Sequence, residues 1–105
     1  MTTYYTEAAE ERLDEIAGYT AAAHGVEQRD RYMRMLRQVC EVLLPAQWSQ
    51  ISRPEPAFEG LHRYRAEHHV IYFRALSRRD LEVVDVLHER QLPVRHLRDA
   101  PSRSK

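Results

Sequence analysis

The stretch GLHRYRAEHHVIYFRALSRRDLEVVDVLH, residues 60–88, decides the fold. From Gly60 onward the pattern has a period of two, the side-chain period of an extended strand. It predicts three strands, Leu61–Glu67, His69–Leu76 and Leu81–His88. Glu67-His68 marks one tight turn and Ser77-Arg78-Arg79-Asp80 the next. Strands joined by such short turns pair antiparallel. In the second strand Ile71, Phe73 and Ala75 share one face, and Val70, Tyr72 and Arg74 the other. The last strand is nearly continuous apolar, which places it centrally in the sheet.

Upstream the period changes. Thr3-Tyr4-Tyr5-Thr6 is rich in strand formers and reads as a short edge strand. Thr6 is placed to cap a helix, with Glu7, Glu10 and Glu11 favourable in its first turn. Ala9, Leu13, Ile16 and Thr20 fall on one helical face. Gly25 is expected to end this helix in the left-handed conformation. A second helix is predicted over about Glu27–Leu44, with Tyr32, Leu36, Val39 and Leu43 as its stripe, widened by Met35, Val42 and Cys40. Pro45 is expected to stop it. The two helices form an antiparallel hairpin.

Residues 45–60 contain three of the chain's five prolines and read as a connecting loop, pinned to the core by Trp48 and Phe58. A short helix is predicted around Pro93–Asp99. The result is an α+β fold: an N-terminal strand and a helical hairpin packed on a three- or four-stranded antiparallel sheet, with a short C-terminal helix. The expected core includes Leu13, Ile16, Leu36, Val39, Ile71, Phe73 and Val86. One face of the sheet lies under the helices. The other, with its arginines, histidines and Tyr72, is expected to be open.

At 105 residues the chain fits one domain, 1–105, with a core over about 3–98 and a polar tail over 99–105. So small a domain has a thin core, and a bound partner adds proportionately more to its stability. The formal net charge is zero, but residues 1–50 carry 8 acids against 5 bases, and residues 51–105 carry 8 against 11. The second half is therefore the expected face for an acidic partner. The single Cys40 excludes an internal disulfide, and no signal peptide or long apolar run is present, so cytoplasmic residence is the expectation.

The candidate binding residues are Arg63, Arg65, Tyr72, Arg74, His88 and Arg90. The arginines suit recognition: several guanidiniums brought together by antiparallel pairing require anions. Local pairing with Glu67, Asp85 or Glu89 is the simpler alternative. No metal is expected, because no cysteine pair or carboxylate spacing completes a tetrahedral set with the six histidines. No cofactor is expected either, since phosphate-binding glycine loops are absent.

Four segments carry a family resemblance. Tyr5–Ile16 (YTEAAEERLDEI) resembles the opening of ParE toxins. Gly60–Arg65 and His69–Arg74 resemble the first two strands of their meander, and Val83–Arg90 resembles their closing V-L-H-x-R signature. The similarity covers about residues 3–98. It implies a toxin of a type II toxin–antitoxin pair, held in a hetero-oligomer by a small ParD-like antitoxin of ribbon-helix-helix type whose C-terminal segment wraps it. Contact with DNA would come through the antitoxin alone. The ParE branch implies inhibition of DNA gyrase without catalysis. The related RelE branch implies cleavage of messenger RNA on the ribosome, for which His88, Arg63, Arg65 and Arg74 are the candidate catalytic groups. The clustered lysines of messenger-cleaving relatives are absent here, and the chain continues past His88 into a further helix. An inactive homologue that only binds antitoxin is the remaining reading.

Overall fold

The computed structural model describes residues 1–97. Strand β1 (Thr2–Tyr5) leads into α1 (Glu7–His24) and α2 (Val26–Gln38), followed by a π-helical turn (Val39–Leu43) and α3 (Leu44–Ile51). Next come β2 (Arg53–Pro54), β3 (His62–Ala66), β4 (His69–Ala75), β5 (Asp80–His88) and α4 (Pro93–His96). The sheet order is β1-β5-β4-β3-β2, with β1 parallel to β5 and the other pairs antiparallel. Five strands thus replace the three or four expected, because Arg53–Pro54 pairs with His62 and Arg63 inside what reads as a loop. The polar tail, and the end of the predicted C-terminal helix, lie outside the described residues.

The core forms between the helices and one sheet face. It includes Tyr5, Leu13, Ile16, Leu36, Ile71, Phe73, Val83 and Val86. Val39 packs at its rim; the buried residues of the second helical segment are Tyr32, Leu36, Cys40 and Leu44, spaced by four.

Pro45 does not stop the helix. It stands in the first turn of α3, directly after the π turn. Proline lacks an N–H and crowds the carbonyl four residues earlier, so an unbroken α-helix through it is unfavourable. Here the backbone widens instead: Leu44 N–H bonds Val39 O, five residues back. The carbonyl of Cys40, left without its α-helical donor, accepts from Thr3 Oγ1 at 2.7 Å. Gly25 alone separates α1 from α2, at φ 92 and ψ 167. Its φ is positive as anticipated, but its ψ is extended, a region that only glycine occupies readily.

Thr6 joins α1 to the sheet. Its Oγ1 accepts from Ala9 N at 3.0 Å as the N-cap and donates to Val84 O at 2.7 Å. Val84 is the extra residue of a β-bulge: Tyr72 pairs with Asp85 and Phe73 with Val83. The bulge resets the alternation, so Val83 and Val86 both reach the core while Glu82 and Asp85 share the opposite face.

That opposite face is not open. Val70, Tyr72 and Leu87 are buried there in a second cluster, with Leu97 packed against it. The chain after β5 turns back, and Arg12 Nη2 donates to His96 O at 3.2 Å, tying this return to α1.

Candidate partner-binding face and adjoining cleft

The antiparallel register aligns Arg63 with Tyr72, Arg65 with Val70, and Arg74 with Glu82. Strand pairing therefore brings arginines and Tyr72 to one face, as the sequence suggests. Tyr72 is only 1% exposed, however, and presents no open surface. The Arg63 guanidinium lies 5.9 Å from the centre of its ring.

The arginines are answered from within the chain. Arg63 Nη1 donates to Glu55 Oε1 at 3.3 Å, and Arg74 Nε lies 3.1 Å from Glu82 Oε1. Arg65 pairs with Glu89. Arg12, which sequence reading did not single out, holds fully buried Asp85 with two bonds of 3.0 and 3.3 Å. Asp85 in turn raises the pKa of Arg12 through that hydrogen bond. The sequence contained a hint: two acids, Glu82 and Asp85, inside a nearly continuous apolar strand, since buried carboxylates require cations.

His88 and Arg90 lie elsewhere. His88 pairs with His69 across β5 and β4, on the helix side of the sheet. The two rings meet edge to face at 5.5 Å between centroids. They border a cleft of about 500 Å³ between the α1–α2 corner and the exits of β3 and β5, with Tyr19, Tyr32, His68 and Arg90 in its walls. The backbone N–H of Arg90 donates to His88 Nδ1 at 3.2 Å, fixing the imidazole against the exit turn.

A hydrogen-bond relay forms the base of the cleft. His68 N–H donates to Tyr32 Oη at 3.3 Å, and the Tyr32 hydroxyl lies 2.5 Å from His69 Nδ1. A neutral His69 that carries its proton on Nε2 accepts the phenol's hydrogen bond at Nδ1. Burial, then the neighbouring His88 and His68, push the His69 pKa down to about 4. Burial also raises Tyr32. Beside them His68 Nδ1 lies 3.1 Å from Glu89 Oε2, and this bond holds the Glu89 pKa below its usual value. Glu89 links the two regions, since it also takes Arg65. The helical period marks Tyr32 only as a core position and the strand pattern marks His69 only as a strand residue; nothing marks Tyr19, and only the tertiary fold brings the three together. Among the described residues no group of three His, Cys, Asp or Glu is arranged to hold a metal ion.

The fold and site define a class: a small α+β protein with a helical hairpin on a mostly antiparallel sheet, and a polar, histidine-lined cleft beside it. A family model for the ParE toxin of the type II toxin–antitoxin system parDE matches residues 4–93, and the chain belongs to that family. Two solved structures share the fold. One is the chromosomal ParDE toxin–antitoxin system of P. aeruginosa, at 16% identity and TM-score 0.66, with 84% of this chain and 95% of that one covered. The other is the RelBE2 toxin–antitoxin complex of Mycobacterium tuberculosis, at 14% identity and TM-score 0.64, covering 86% and 92%. A search of curated proteins finds no match. No helix among the described residues is long and apolar enough to cross a membrane.

Proposed function

We propose that this chain is a toxin that poisons DNA gyrase by binding it, and that a ParD-like antitoxin of ribbon-helix-helix type neutralises it in a hetero-oligomeric complex. The ParE family match over residues 4–93 carries this reading. Arg90, exposed at the cleft and without an ion pair among the described residues, is the arginine best placed for a partner; Arg63, Arg65 and Arg74 already hold carboxylates of this chain. Inhibition of supercoiling by purified gyrase tests it: the toxin should abolish supercoiling, and added antitoxin should restore it. Unchanged supercoiling together with cleaved messenger would overturn it.

The ribonuclease alternative has one supporting observation, the His69–His88 pair at an accessible cleft. Its candidate set is dispersed, however. His88 aligns with His69, while Arg74 is five residues further along β4, roughly 17 Å at about 3.4 Å per residue. General acid–base catalysis needs its groups within hydrogen-bond reach of one reacting phosphate. We therefore assign His88 and Arg90 to partner contact at the cleft, and Arg63, Arg65 and Arg74 to the sheet surface beside it.

A further inference from the structure

The outer edge of β3 is only half covered. Glu55 N–H donates to Leu61 O at 2.8 Å, so the Leu61 carbonyl points toward the β2 side. In an antiparallel ladder the N–H and C=O of one residue point the same way, and the next residue points the opposite way. Arg63 and Arg65 therefore face the β2 side, and Tyr64 and Ala66 face β4. Arg63 is met by Arg53. β2 begins there, because the preceding residues belong to α3, which ends at Ile51. Arg65 lies beyond the ladder, and among the described residues no backbone group bonds its N–H or C=O.

A groove of about 660 Å³ runs beside this edge. Arg53, Arg63 and Arg65 line it together with the apolar surfaces of Ile51, Pro54 and Tyr64, and no acidic residue is in its lining. Arg53 is exposed and forms no ion pair with a described residue. Arg63 and Arg65 each hold one carboxylate, but a guanidinium has five N–H donors and can accept a second.

We propose that the β3 edge at Arg65 accepts an extended segment of alternating acidic and apolar residues as an added strand. The alternation follows from the pleat. Side chains beside Arg63 and Arg65 meet guanidinium, whereas those on the other face meet Tyr64 and Ile51. A second copy of this chain is disfavoured, because symmetric pairing about Arg65 sets arginine against arginine. The proposal names the partner segment for the antitoxin reading and rests on that reading.

The test uses the full chain and the peptide acetyl-(Glu-Val)4-amide, with amide hydrogen exchange read by NMR. Saturating peptide should slow exchange at Arg65 at least tenfold. N-methylation of alternate peptide residues, in the phase that removes the N–H groups facing β3, should weaken binding at least tenfold. Arg53→Glu should do the same with unchanged thermal stability, and the (Lys-Val)4 peptide should not bind. Binding without protection of Arg65, equal binding by N-methylated or lysine peptides, or no binding at millimolar concentration each overturns the proposal. So does peptide-independent protection that rises with protein concentration, which identifies a second copy as the occupant. If the edge proves inert while a co-expressed antitoxin still rescues growth, the edge assignment falls and the antitoxin reading stands.

Discussion

Glu67 occupies φ 54 in the two-residue turn between β3 and β4, where a side chain is disfavoured. His68, the second turn residue, does not share the positive φ, the pattern of a turn that prefers glycine at its first central position. Glu67→Gly should therefore stabilise the fold by up to about 1 kcal/mol, less the entropy that glycine adds to the unfolded chain. Chemical denaturation measures it; a clear loss of stability would mean that the Glu67 side chain contributes more than its strain costs. His69 predicts a pH effect. Its folded pKa of about 4 lies below the ordinary value of 6.5. As pH falls through that interval the unfolded chain takes up the proton first, so stability falls. Above about pH 6.5 this contribution is constant. Denaturation at pH 7.5 and pH 5 should show the loss, and His69→Gln should flatten that part of the profile. Asp80 and Glu89, with lowered pKa values, act only at more acid pH and do not mimic it.

At the scale of elements, Thr6 holds three together. It begins α1, follows β1 and bonds the bulged residue of β5. Thr6→Val removes the cap and leaves Val84 O without this donor, and should cost about 2 kcal/mol. Thr6→Ser keeps both bonds and should recover most of the loss; a Thr6→Ser variant as damaged as Thr6→Val would show that the methyl contributes as much as the hydroxyl, and a harmless Thr6→Val would remove the hydroxyl's role. The π turn shows a different economy. Pro45 is accommodated by five-residue spacing, and β1 contributes the hydroxyl of Thr3 that answers the displaced carbonyl. An edge strand and a helix distant in sequence thus complete one hydrogen-bond pattern.

Across the whole molecule, Arg12 connects the helical layer, the buried side of β5 and the returning C-terminal segment. Asp85 is fully buried, and removing its bidentate partner leaves a charge that the interior solvates poorly. Arg12→Ala should cost on the order of 3 kcal/mol, well above the effect of cutting an exposed pair. Phe73→Ala should cost about 3–5 kcal/mol, because its ring is completely buried between the layers. Both are read from denaturation midpoints. Arg90→Ala belongs to the functional surface: exposed at the cleft, it should leave folding unchanged and weaken toxicity or antitoxin affinity by about 1 kcal/mol or more. Full retention of both would reduce this surface to a solvated face.

Residue patterning alone placed β1, the helical hairpin and the β3–β5 meander in order, and the core-facing side of β4, because period-two alternation and short turns permit few arrangements of Ile71, Phe73 and Ala75; it did not show α3 or β2. It also marked the arginines that strand pairing would gather. The tertiary structure alone decided what answers them. Glu55, Glu82 and Glu89 meet their arginines through register and loop packing, and Asp85 meets Arg12 across 73 residues of chain. The bulge at Val84 sends two valines to the core from positions of opposite parity, which no fixed period can express. The burial of Tyr72 under the C-terminal return, and the meeting of Tyr32 with His69, depend on contacts between segments far apart in the chain. Local propensity carries information over a few residues; which distant groups satisfy a buried charge or cover an apolar face is fixed only when the layers pack.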